Sequence, residues 1–189
     1  MNIIIPEIVI ISGSEGVGKS TTCERIEQYA RVKQIEISGI RSAIEISNKN
    51  KKIAINSIDL RGGTKVKLAY YLQRWDIKRP ERKWKFNELA FLWGNKVLIN
   101  SIPTGLLMID EIGYQEIENE KGWNSCFSVL KSGQFDLAII VIRKTLINSA
   151  KIIWPNAEIM EIKEGGPREN EFNHIKDKID LIFRIRDTK

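Results

Sequence analysis

Cysteine and histidine are scarce in this 189-residue chain, which contains only Cys23, Cys126 and His174 of these types. Two cysteines are too few for a disulfide framework or a zinc cluster. One histidine in a polar stretch builds neither a nucleophile triad nor a metal cluster. No apolar run approaches the roughly 20 residues that a membrane span requires. The apolar stretch near the start is broken by Pro6 and Glu7 and has no basic leader, so it reads as a core strand rather than a signal peptide. The guanine-reading pattern N-K-x-D is missing, since "NKNK" at Asn48 and "NKVL" at Asn95 lack the acid. Internal repeats and low-complexity tracts are absent too. These gaps exclude stapled secreted scaffolds, zinc sites and membrane spans, argue against a dedicated GTPase switch, and lead to the expectation of a reducing, cytoplasmic setting.

The remaining composition is that of one globular domain over residues 1–189, with 42% hydrophobic and 29% charged residues. The net charge is +6. Part of it lies in Lys49-Asn50-Lys51-Lys52 and in "IKRPERKWK" from Ile77 to Lys85. Such runs can bind nucleic acid. Solvated loops, or a basic cleft for an anionic nucleotide, account for them equally well. A nucleic-acid partner is therefore not favoured, and the sequence specifies no protein partner.

The chemistry is concentrated in "IVIISGSEGVGKSTT". Gly13, Ser14, Glu15, Gly16, Val17, Gly18, Lys19 and Ser20 satisfy the P-loop pattern G-x-x-x-x-G-K-[ST], and Thr21 follows. Glycines let consecutive N–H groups turn into one concavity, which opens at the positive end of a helix. Lys19 is placed to reach the β- and γ-phosphates of a nucleoside triphosphate, and the Ser20 hydroxyl to ligate Mg²⁺. The β-branched run Ile8–Ile11 before the loop and the helix formers Ser20–Ala30 after it supply the strand–loop–helix order that this mechanism needs.

Apolar and amphipathic segments alternate along the rest of the chain, which predicts an α/β fold with a mainly parallel sheet between two helical layers. Strands are expected at Val32–Ser38, Gly105–Asp110, Asp136–Ile142 and Ala157–Ile162, and helices at Asn87–Asn100, Trp123–Lys131, Thr145–Ile153 and Glu169–Arg186. Ala43–Ser47 and Lys52–Leu60 alternate around "NKNKK" and read as a β-hairpin inserted at about residues 42–61, ended by Arg61-Gly62-Gly63.

A second half of the site is expected where "LLMIDE" ends a buried strand in acid. Parallel strands deliver their C-terminal ends to the ligand crevice. Asp110 is the candidate Walker-B acid for Mg²⁺, and Glu111 the candidate that orients or deprotonates an attacking water. A nucleotide kinase must keep water from the γ-phosphate, whereas a hydrolase benefits from a carboxylate there, so Glu111 favours hydrolysis. Arg143 and Arg41 are the candidate transition-state arginines, ahead of Arg184 and Arg186. Trp84 is the candidate for stacking on a base, a contact tolerant of base identity.

With these residues in place the chain resembles a family of small P-loop nucleoside-triphosphatases that includes thermophilic and cancer-related members. The resemblance rests on "GSEGVGKSTT", "KKIAINSIDLRGGTKVKLA" and "IDEIGYQEI", the last matching an Asp-Glu-Ile-Gly Walker B followed by Glu at Asp110, Glu111, Ile112, Gly113 and Glu116. It implies a RecA-like fold and slow Mg²⁺-dependent hydrolysis of ATP, GTP and other nucleoside triphosphates with loose base preference. Departures occur at Tyr114-Gln115, where the family has Lys-Met, at "RKWKF" before the mid-chain helix, and in "GIRSAIEIS", which keeps only Arg41 and Glu45. The alternatives are a nucleotide or small-molecule kinase, or a nucleotide-dependent RNA- or protein-binding module.

Overall fold

A computed structural model describes residues 5–72, 84–119, 121–165 and 168–187, with side chains in the last helix only from Glu169 to Phe183. Residues 77–83 of the second basic run, and the Arg184 and Arg186 side chains, lie outside the described residues.

Among the described residues the β-branched and apolar segments condense into one eight-stranded sheet. In chain order the strands are β1 (Glu7–Gly13), β2 (Ile37–Ile46), β3 (Lys52–Asp59), β4 (Lys65–Tyr71), β5 (Trp84–Phe86), β6 (Thr104–Ile112), β7 (Phe135–Ile142) and β8 (Glu158–Ile162). They lie side by side as β5-β4-β3-β2-β6-β7-β1-β8. The five strands from β2 to β8 pair in parallel, and β2 through β5 pair antiparallel.

Strand residues alternate between two apolar layers, as the period of two requires. Val9, Ile11, Met108, Ile139 and Val141 pack against Cys23 and Ile26 of α1 (Lys19–Val32) and against Ile175 and Ile179 of α6 (Arg168–Asp187). Ile10, Leu107, Ile109, Ile140 and Ile142 face the other way, toward Leu98 of α2 (Glu88–Ile99), Val129 of α4 (Ser125–Ser132) and Ala150 of α5 (Ile147–Ile153). A short turn of helix, α3 (Tyr114–Ile117), follows β6. The predicted three-layer α/β/α sandwich with a mainly parallel sheet is the fold observed.

Two expectations are corrected. Val32–Ser38 is not a strand over its length: α1 continues to Val32, and β2 begins only at Ile37. The helix stops in a Schellman arrangement, with Ile35 N–H donating to Ala30 C=O and Gln34 N–H to Arg31 C=O. Gln34, at φ 57°, occupies the left-handed position where glycine would have signalled the stop. The segment Ala43–Ser47 is likewise not a separate strand. It is the second half of β2, which pairs in parallel with β6 through Ile40 and antiparallel with β3 thereafter. The hairpin therefore grows out of the central sheet, and Arg61-Gly62-Gly63 forms the turn that follows its second strand. That turn leads into β4, a further antiparallel strand of exposed lysines with Leu68 turned inward.

Candidate active site

The P-loop forms because β1 ends on Gly13 in a conformation that side chains avoid, at φ 143°. A Cβ there would sit 2.6 Å from the Ile162 carbonyl oxygen of β8. Gly18, at φ 106°, takes the left-handed position immediately before α1 and lets the chain enter the helix at once. Val17 turns inward, 7% exposed, and anchors the loop in the core. Lys19 lies along the loop, its ammonium donating to the Gly13 and Ser14 carbonyls at 2.8 Å each. Thr22 secures the first turn of α1 by donating its hydroxyl to the Gly18 carbonyl.

Strand β7 stands between β1 and β6. The P-loop strand and the acidic strand are thus two strand spacings apart, about 10 Å. Helix α1 closes that gap. The Ser20 hydroxyl, in its first turn, lies 3.4 Å from Asp110 Oδ1 across 90 residues of sequence. Asp110 is 1% exposed, and its Oδ2 has no hydrogen-bond partner. Burial, and then the negative charge of Glu111, push the Asp110 carboxyl up to about 7, against the opposing influence of Ser20 and Arg41. Its backbone is fixed from β2, where Ser42 Oγ donates to the Asp110 carbonyl at 2.6 Å.

The β6–β7 register shifts between Ile109 and Ile112. This irregularity spans Asp110 and Glu111, at the sheet rim where bulges beside sites are common. Glu111, with its side chain 31% exposed, forms an ion pair with Arg143, at the C-terminal end of β7. Burial works against the Arg143 charge, but the Glu111 carboxylate, with Glu15 of the P-loop also contributing, holds its proton affinity above the ordinary arginine value. Two of the sequence-predicted residues are therefore brought together at the loop that follows the acidic strand.

Three further placements matter. Arg41 is in the sheet beside Asp110, but its guanidinium is committed to α1, with Nε 2.7 Å from Glu27 Oε2 and a second contact to Glu24. Both partners of the shorter contact are nearly buried, so Arg41 braces β2 against α1 rather than standing ready as a transition-state group. Trp84 is a correction. Strand β5 is six places from β1 in the sheet, about 29 Å, and the Trp84 ring meets Tyr71 edge-on at 5.1 Å, so it does not flank the P-loop. Glu116, matched at sequence level without a role, proves to be the clamp of this loop. Its buried carboxylate accepts the N–H of Gly113 at 2.9 Å and of Trp123 at 3.0 Å, and burial raises its pKa. A glutamate three residues after a glycine at a helix start was the available signal.

The donor set at Ser20 and Asp110 is one hydroxyl and one carboxylate with a free oxygen. Hard oxygen donors in this small number suit Mg²⁺, which keeps several waters and takes phosphate oxygens for the rest. Among the described residues no three His, Cys, Asp or Glu side chains converge on an all-protein metal cage. Both cysteines are free and buried. No described helix is long and apolar enough to cross a membrane.

A family model described as NTPase matches residues 8–153. A comparison with curated proteins yields no match. Among solved structures, the chain is similar to the solution structure of a human cancer-related nucleoside triphosphatase, with a TM-score of 0.71 and 16% identity over 93% of this chain and 98% of that one. It is also similar to the crystal structure of THEP1 from the hyperthermophile Aquifex aeolicus, with a TM-score of 0.60 and 18% identity over 89% and 96% of the two chains. At such identities the two likenesses establish the fold.

Proposed function

The chain belongs to the NTPase family whose model covers residues 8–153, and on that premise we propose that it is a Mg²⁺-dependent nucleoside-triphosphate phosphohydrolase. The observation that carries the reading is the approach of Ser20 Oγ to the buried, half-unsatisfied Asp110 carboxylate, with Glu111 one residue further on. The P-loop N–H groups and Lys19 would cradle the triphosphate, the ammonium exchanging the Gly13 and Ser14 carbonyls for phosphate oxygens. Ser20 and Asp110 would hold Mg²⁺, which supplies charge neutralisation of the β- and γ-phosphate oxygens when bound.

Glu111 orients a water toward the γ-phosphorus and accepts its proton as the new P–O bond forms and the bond to the β-phosphate oxygen breaks. Nucleoside diphosphate and inorganic phosphate are the products. Arg143, held beside Glu111, donates to the γ-phosphate oxygens as charge accumulates on them. Lys19 and Glu111 are thus the catalytic pair in this proposal, and Gly13, Ser14, Glu15, Gly16, Val17, Gly18, Ser20 and Thr21 complete the phosphate-binding turn.

Loose base preference follows from the missing N-K-x-D pattern and the remoteness of Trp84. A reducing, cytoplasmic setting is part of the same reading, motivated by two cysteines that are both free. Phosphate release from ATP, GTP, CTP and UTP with Mg²⁺ tests the proposal. Wild type is expected to turn over several of them slowly, Lys19→Ala to lose binding and turnover, and Glu111→Gln to lose turnover by 10²-fold or more while nucleotide binding persists. Hydrolysis surviving in Glu111→Gln would remove the role assigned to Glu111. Release appearing only with an added acceptor would turn the reading into a kinase.

A further inference from the structure

The antiparallel half of the sheet carries a surface that the hydrolytic site does not use. Directly paired residues share a face of a sheet. The registers Ile58↔Lys65, Asn56↔Lys67, Ala54↔Tyr70 and Tyr70↔Lys85 therefore place Lys65, Lys67, Tyr70 and Lys85 on one face. The shift in β4 around Leu68 keeps Lys67 and Tyr70 together. The Lys67 ammonium lies 5.7 Å from the centre of the Tyr70 ring. Val66 and Leu68 point to the opposite, helix-covered side and belong to the core.

This face is open where it matters: Tyr70 is 47% exposed, and Lys65, Lys67 and Lys85 are exposed. Among the described residues Lys67 forms an ion pair with Glu45 at 3.5 Å, and Lys65 acts on the same carboxylate without pairing with it. At its edge, beside β5, a cavity of about 540 Å³ is lined by Tyr70, Lys85, Phe86, Asn87, Glu88 and Leu89. Its volume is that of a small-molecule pocket, and the Tyr70 ring and the Lys85 cation enter it from the open face, with the Glu88 carboxylate also in the lining. An array of exposed cations along neighbouring strands matches a phosphodiester backbone, and an exposed ring at its centre matches an unstacked base. Three exposed lysines against the two neighbouring carboxylates, Glu45 and Glu88, leave the face net cationic, which favours a polyanion over a protein surface of ordinary composition.

We propose that the β3–β4–β5 face binds single-stranded nucleic acid, with phosphates on Lys65, Lys67 and Lys85 and a base stacked on Tyr70 at the mouth of the edge cavity. This rests on residues separate from the P-loop, so it stands or falls independently of the hydrolase reading. Lys19→Ala, which tests that reading, is expected to leave nucleic-acid binding unchanged.

The test is fluorescence anisotropy of labelled ten-nucleotide oligouridine, oligothymidine and a hairpin duplex, titrated with full-length protein from 20 to 200 mM salt. Both single strands are expected to bind more tightly than the duplex. Replacing Lys67 or Lys85 by Gln is expected to reduce the slope of log affinity against log salt by about 0.7 each, whereas Lys151→Gln, on a different surface, leaves it unchanged. Tyr70→Ala is expected to weaken binding roughly tenfold, and Tyr70→Phe, which keeps the ring, to preserve it. A preference of oligouridine over oligothymidine would identify RNA as the ligand, and the reverse DNA. Absence of binding at 20 mM salt, duplex binding as tight as single-strand binding, or full binding by the triple variant of Lys67, Lys85 and Tyr70 would each overturn the proposal.

Discussion

Replacing Asp110 by asparagine is expected to stabilise the metal-free and nucleotide-free protein at pH 8 while abolishing its hydrolysis. The carboxyl is 1% exposed with one oxygen unpartnered, and burial followed by the charge of Glu111 moves it from 3.8 to about 7. A one-unit change in pKa corresponds to about 1.4 kcal/mol, so an ionised Asp110 costs the fold about 4 kcal/mol. The sign follows from proton binding. Between pH 4 and pH 7 the folded state holds a proton at Asp110 that the unfolded chain has released, so stability falls as pH rises through that window and levels off above it. Asparagine carries no charge at any of these pH values. Its amide would inherit the unpartnered position of Oδ2, at a cost of about 1–3 kcal/mol. The net gain at pH 8 is then about 2 kcal/mol, or roughly 5 °C in Tm for a chain of this size. Near pH 5 most of the wild-type penalty has gone and the two proteins should melt together. Thermal melts of both proteins from pH 5 to pH 8, in chelator and without nucleotide, are the assay. A difference that is constant across pH, or a variant less stable at pH 8, would refute the argument that Asp110 is a buried charge awaiting a cation.

The two candidate arginines should separate cleanly. Arg143→Ala removes a half-exposed partner of Glu111 and is expected to lower kcat by 10²-fold or more with stability changed by less than about 1 kcal/mol, as steady-state kinetics and urea unfolding would show. Arg41→Ala removes one of the two arginines on the nearly buried Glu27, which keeps Arg31, and is expected to cost about 2 kcal/mol in unfolding experiments while kcat per folded molecule changes only a few-fold. Gly94→Ala would place a Cβ 2.5 Å from Trp123 Nε1. It is expected to destabilise by about 1–3 kcal/mol despite the better helix propensity of alanine, because overpacking outweighs the roughly 1 kcal/mol that propensity returns. A raised Tm in that variant would mean that Trp123 yields easily.

Much of the site was legible before folding because its signals are short-range. The P-loop needs a strand, a glycine-bearing turn and a helix in immediate succession, and all three have local signatures between Ile8 and Ala30. Asp110 and Glu111 were legible for a similar reason, since a run of apolar residues ending in acid marks the rim of a parallel sheet. The strands of the central sheet and the Asn48-centred turn could also be located from alternation and turn residues. Less visible were signals carried by unusual residues. Gln34 ends α1 in a position that glycine normally advertises, and the lysines of β4 mask its alternation.

What neighbours what was decided by the tertiary structure. No local pattern says that β7 is inserted between the P-loop strand and the acidic strand, because strand order depends on how helices of both layers pack against the whole sheet. The same packing brings Ser20 to Asp110 across 90 residues, turns Arg41 toward Glu27, and removes Trp84 to the far side of the sheet. It also pairs Arg143 with Glu111, two residues on different strands whose proximity depends on the β6–β7 register. The chain's sequence determined which groups carry the chemistry, since backbone turn and side-chain identity are local properties. Their distances and protonation depend on burial and non-local contacts, and these exist only once the sheet has closed its core.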